Sequence, residues 1–133
     1  MSAGRELVDR ARWHAHSVSV LEILDDRLLD LVDENAECVQ LADGLLWSEG
    51  PIWVATGGYL LFSDIRNNRR CRWDERQGFS VVTEPTEKAN GMTLDAEGRL
   101  IVCEHVTHSL VRMDTDGTGA DRRCSPPATG DSS

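Results

Sequence analysis

The chain has 133 residues and a formal charge of −9, a size that suits one ordinary domain with a modest core. Acidic residues are spread along its whole length, a balance that repels phosphate backbones and argues against nucleic acid as a partner. No apolar run approaches the roughly 20 residues of a membrane helix, and the opening residues lack the apolar stretch of a secretory signal. The four cysteines, Cys38, Cys71, Cys103 and Cys124, are widely spaced and form no CxxC pair. Zinc and redox motifs therefore lack support, and reduced thiols in a cytoplasm are the expected state.

Residues 1–40 read as an N-terminal arm. In it, Leu24, Leu28, Leu31 and Val32 fit one face of a helix, with Asp25, Asp26, Arg27 and Asp30 on the other. The stretch Cys38 to Leu41 alternatively fits a short strand. His14 and His16 lie in polar surroundings and read as surface residues, as does His108 further on.

Over residues 41–123 the character changes to all-β. Short runs rich in Trp, Val, Ile, Leu and Phe (PIWVA, YLLFSD, RCRWD, SVVTE, then MTLD, RLIVCEH, SLVRMD) alternate with Gly and Asn turn signals, the pattern of antiparallel strands. Arg66, Arg69, Arg70 and Arg72 form a basic cluster offset by Asp64, Asp74 and Glu75, which predicts a solvated turn. Residues 124–133, with no core-forming side chains, are expected to be a disordered tail.

The β region carries an internal repeat. The segment that starts at Glu49 can be laid on the one that starts at Asn90, with one residue of gap. Gly50 then matches Gly91, Leu60 matches Leu100, Asp64 matches Glu104, Arg72 matches Arg112 and Asp74 matches Asp114. A period of about 40 residues is the spacing of β-propeller blades. The second copy shows no convincing outermost strand. Propellers close with roughly 4 to 8 blades, so two copies predict a fragment, a truncated frame or one part of an assembly.

Glu49 and Asn90 occupy the same point of the repeat, just before a glycine at the start of the first strand. In a propeller such positions converge on the central channel. A carboxylate and an amide carbonyl there are hard oxygen donors suited to calcium or another divalent cation. The alternative for Asn90 is a turn role, since Asn-Gly favours tight turns. For Glu49, flanked by Trp47 and Trp53, the expected setting is buried. Glu104, followed by His105, supplies a candidate proton acceptor or substrate contact. No nucleophile elbow, P-loop or dinucleotide fingerprint is present.

Taken together, LWSEGPIW, LLFSDIRNNRRCRWDE, ANGMTLDAEGRLIVCEH and VRMDTDGTG resemble, in order and with natural spacing, the N-terminal portion of the gluconolactonase/SMP-30/LRE-like family. The resemblance implies a six-bladed β-propeller, of which this chain holds about two blades. It also implies a divalent metal, usually calcium, in the channel, and hydrolysis of a sugar lactone to the aldonic acid. Glu49 would be a metal ligand, while Asn90, Glu104 and His105 would belong to the substrate pocket; no residue is assigned as catalytic. The family's later NSPND-type motif is missing its Asn and Asp, so the expectation is a lactone hydrolase inactive on its own. The alternatives are a non-enzymatic remnant or a propeller-type interaction module.

Overall fold

The computed structural model describes residues 21–124. The chain divides into two compact units at the Asp43–Gly44 boundary. His14, His16 and the expected tail beyond Cys124 lie outside the described residues.

In the first unit the expected helical face does not assemble. Among the described residues of this unit a 3-10 helix, Asp26–Asp30, forms instead, and Leu24 and Leu31 are exposed. The cause is local. The Asp25 carboxylate accepts the Arg27 amide at 2.9 Å and caps the turn. Asp33 then starts a second turn, its carboxylate accepting the Asn35 amide at 2.8 Å and its carbonyl the Ala36 amide at 2.9 Å. Aspartate side chains that bond nearby amides offer the backbone an alternative to continued helix. Cys38 makes an isolated β-bridge and residues 39–41 form no strand.

The second unit holds two four-stranded antiparallel sheets, each an uninterrupted meander. Sheet 1 comprises β1 (Ser48–Val54), β2 (Tyr59–Asp64), β3 (Arg69–Asp74) and β4 (Gly78–Thr83). Sheet 2 comprises β5 (Ala89–Leu94), β6 (Leu100–Glu104), β7 (Ser109–Met113) and β8 (Asp121–Cys124). Residues matched in the repeat hold matched places in the ladders. Leu60 pairs with Trp73 as Leu100 pairs with Met113, and Asp64 pairs with Arg69 as Glu104 pairs with Ser109. Even the irregularity repeats: the register shifts between Glu49 and Ile52 in sheet 1 and between Ala89 and Met92 in sheet 2.

The outermost strand of the second copy exists, contrary to the sequence expectation. β8 is only four residues, DRRC, without apolar alternation, and it is placed by backbone pairing of Leu110 with Cys124, Val111 with Arg122 and Arg112 with Asp121. An edge strand needs only one partner's backbone and presents no core face that a sequence pattern would reveal.

The core lies between the sheets. Leu61 of sheet 1 and Ala89, Leu100, Val102, Val111 and Met113 of sheet 2 are buried in one cluster with Val54. Strand alternation also overturns the solvated-turn reading of the arginines, because residues 69–72 are strand and not turn. Arg70 faces sheet 2 and is 1% exposed, with Nη1 3.1 Å from the Met113 sulfur and no hydrogen-bond partner for Nε. Burial lowers its pKa, and the Glu104 charge partly offsets that. Arg72 lies over the Tyr59 ring, 4.1 Å from its centroid. The position of Arg70 is taken in the second copy by Leu110, an apolar residue. Arg70→Met should therefore leave stability unchanged or raise it by up to about 2 kcal/mol, since a desolvated charge with an unmet donor is replaced by a side chain of similar length. Thermal unfolding compared with the parent checks this, and a clear drop in melting temperature would show that the guanidinium is a net stabiliser.

Candidate functional site

The candidate site lies at one end of the sheets, where β1 and β5 begin and β2 and β6 end. There β1 and β5 touch backbone to backbone. Gly50 has φ +61, and a Cβ on it would stand 2.5 Å from the Asn90 carbonyl oxygen and 3.1 Å from Gly91 Cα. Only a residue without a side chain allows this approach. Beside it, Ser63 Oγ donates to the Asn90 carbonyl at 2.8 Å. The structure thus brings the Glu49 and Asn90 segments side by side, as the repeat demanded.

Three polar residues outside the sequence-based candidates hold this arrangement. Asp64 is fully buried, and its carboxylate accepts the Leu46 and Trp47 amides, each at 3.1 Å, on the approach to Glu49. It also accepts Asn67 Nδ2 at 2.6 Å and meets the Arg69 guanidinium at 3.0 Å. Burial alone would raise its pKa, but the bonds from Asn67, Trp47, Leu46 and Arg69 outweigh that and hold it below the ordinary carboxylate value. Asn68, at φ 57, turns its side-chain carbonyl to the Lys88 amide at 2.7 Å and the Thr86 amide at 3.2 Å. It thereby anchors the connection that leads into Asn90. Ser63 is the third. In sequence, Asn68 reads as an ordinary turn residue and Ser63 as a strand filler. Asp64 alone carried a signal, its match to Glu104.

The setting of Glu49 differs from expectation. Its residue is exposed, and the flanking Trp47 and Trp53 are 55% and 53% exposed. β1 is the edge of its sheet, and among the described strands β2 pairs with it and β5 passes close to it. Trp47 instead stacks beneath Arg66, whose guanidinium carbon is 5.6 Å from the ring centroid. Asn90 is partly buried, and its side-chain carbonyl accepts the Gly91 amide at 2.6 Å. Glu104 reaches the same end of sheet 2, opposite Ala89 in the ladder, and accepts Thr107 Oγ1 at 2.6 Å. His105 is exposed in the following turn, its ring centroid 6.1 Å from that of His108. That turn is tied back by the Val106 amide bonding the Glu87 carbonyl at 3.0 Å.

Calcium takes six to eight oxygens. Glu49 offers one carboxylate, and Asn90 offers an amide oxygen already engaged by Gly91. Among the described residues no group of three or more His, Cys, Asp or Glu side chains gathers to hold a metal. The donors among the described residues therefore do not make a closed cation site by themselves.

The signature described as "SMP-30/Gluconolactonase/LRE-like region" matches residues 47–130. The chain belongs to the SMP-30/gluconolactonase/LRE-like family. A gluconolactonase of Zymomonas mobilis is 30% identical over 101 residues, which cover 66% of this chain and 28% of that protein. A solved gluconolactonase from Xanthomonas campestris, described as important in glucose secondary metabolic pathways, superimposes with a TM-score of 0.68 at 31% identity. The superposition covers 79% of this chain and 35% of that one. The chain thus spans about a third or less of the length of these family members. No helix among the described residues is long and apolar enough to cross a membrane.

Proposed function

We propose that this chain is a two-blade part of a lactone-hydrolysing β-propeller, acting on a sugar lactone and contributing one wall of the site. The observation that carries the reading is the backbone contact of Gly50 with Asn90, which places the Glu49 and Asn90 strand starts next to each other at one end of the sheets. In this reading each four-stranded meander is one blade, with β1 and β5 innermost. Glu49 is the metal-ligand candidate, and Asn90, Glu104 and His105 line the substrate pocket.

Hydrolysis adds water across the ring ester: the carbonyl–oxygen bond of the ring breaks, and the departing alkoxide takes a proton. The chain's own groups can orient a polar substrate and accept a proton at the Glu104 or His105 side chain. They do not complete a calcium site, so no step is assigned to a cation. The remaining donors have to come from outside these two sheets. Three exposed free thiols, Cys38, Cys103 and Cys124, support the reading of a reducing, cytoplasmic setting.

Purified chain should show little lactone hydrolysis and weak calcium binding. Calorimetric titration with calcium, alongside a lactone assay, tests this. Tight stoichiometric binding with activity lost in Glu49→Ala would overturn the expectation of inactivity and strengthen Glu49 as a ligand. A second reading, a propeller-type interaction module without enzymatic role, is favoured by the exposed Trp47 and Trp53. It predicts that Glu49→Ala changes neither activity nor metal affinity.

A further inference from the structure

The approaches to β1 and β5 meet at one arginine. Trp47 and Lys88 stand two residues ahead of Glu49 and Asn90, and both touch Arg66. The Arg66 guanidinium carbon lies 5.6 Å from the centroid of the Trp47 ring, and Lys88 Nζ donates to the Arg66 carbonyl at 2.9 Å. The turn that carries Arg66 is fixed from the same side, since the Ile65 amide donates to the Trp47 carbonyl at 2.9 Å. Arg66 therefore stands at the seam between the two strand starts. Its charge is uncommitted. Among the described residues no carboxylate lies within ion-pair distance of Arg66, whereas the Arg69 guanidinium is engaged by Asp64.

The repeat shows that the turn itself does not need this arginine. Val106 holds the place of Arg66 in the β6–β7 turn, and the two turns share a form: Asn68 and His108 close them at φ 57 and φ 50. An exposed guanidinium is thus present in one copy only, beside the candidate site. The Trp47 face holds it by cation–π attraction and takes none of its N–H donors. A guanidinium held in place with its donors open can form paired hydrogen bonds to a carboxylate or a phosphate.

We propose that Arg66 selects a lactone that carries an additional anionic group, a carboxylate or a phosphate, and binds that group while the ring lies against the Glu49 and Asn90 strand starts. The inference rests on the lactone reading above and adds to it the charge of the substrate. Without Arg66, the carboxylates of Glu49, Glu87 and Glu104 at this end would repel such a substrate.

Titration of the purified chain followed by nuclear magnetic resonance, with the Trp47 indole N–H assigned through Trp47→Phe, reads the result. The probes are saccharolactone for the carboxylate and glucose phosphorylated on its primary hydroxyl for the phosphate. Gluconolactone, freshly dissolved in mildly acidic buffer, is the neutral ring, and inorganic phosphate is the bare anion. At least one anionic sugar should shift the Trp47 signal and bind about tenfold more tightly than gluconolactone. The tighter of the two assigns carboxylate or phosphate. Arg66→Gln, with unchanged far-UV circular dichroism, should remove the preference. Gluconolactone bound as tightly as the anionic sugars, or a preference that survives Arg66→Gln, overturns the proposal and leaves the lactone reading standing. Inorganic phosphate that matches the sugars overturns it as well, by showing a contact with any anion. If neither lactone nor the sugar phosphate binds, this inference and the lactone reading both fail.

Discussion

Asp64→Ala should cost the β unit about 2–4 kcal/mol, the largest loss expected of any single polar substitution in it. The carboxylate is fully buried and gathers four partners from three separate places: the Leu46 and Trp47 amides before β1, Asn67 in the β2–β3 turn, and Arg69 at the start of β3. Alanine leaves two amides unmet in the same stroke, and removes the counter-charge of Arg69, whose side chain is only 20% exposed. Asp64→Asn should cost somewhat less, since one oxygen still accepts the Leu46 and Trp47 amides, but its NH2 is a donor set against the Asn67 and Arg69 donors, so only part of the loss is recovered. Denaturant unfolding of the three proteins measures both losses. An alanine variant as stable as the parent would show that these bonds are replaced by water at no cost. The same network sets a pH dependence. The native pKa of Asp64 is lowered, so its contribution is present above the unfolded carboxylate pKa of about 3.9. It is lost as pH falls through the lower native value. Asp64→Ala should therefore narrow its gap to the parent in strongly acidic buffer.

Gly50→Ala should destabilise the chain by about 2–4 kcal/mol, combining a left-handed backbone with a steric collision. At φ +61 any side chain is strained, and here the added carbon would also lie 2.5 Å from the backbone oxygen of Asn90. Backbone is a poor candidate for small adjustment, so β1 and β5 would have to part, stretching the Ser63 to Asn90 bond of 2.8 Å. Gly58→Ala is the matched control: its φ is +64 and nothing lies within 4 Å of the added carbon. It should show the backbone strain alone, roughly 1 kcal/mol. The difference between the two variants in thermal unfolding isolates the inter-sheet contact. Equal losses would mean that the sheets are free to separate at this end, and the candidate site would lose its geometric basis.

Much of the fold was legible in the sequence because the signals are local. Alternating apolar runs closed by Gly and Asn turns place seven of the eight strands among the described residues, and the matched glycines, acids and arginines of the two copies align their registers. β8 was not legible, since DRRC joins the sheet through backbone bonds that any side chains permit. The helical pattern in the arm misled for a related reason: the spacing of Leu24, Leu28 and Leu31 carries no helix when aspartates on both sides close shorter turns.

For the site, residue types and their place in the repeat singled out Glu49, Asn90, Glu104 and His105 from sequence alone. Their surroundings depended on the other sheet. Whether Trp47 is covered, whether Arg70 meets water or a methionine sulfur, and whether Asn68 closes a turn or anchors the next sheet are settled by residues distant in the chain. A period of two tells which side chains share a face, since that follows from backbone pleating. It does not tell what lies across from that face, because burial and hydrogen-bond partners arise only when the second sheet packs against the first.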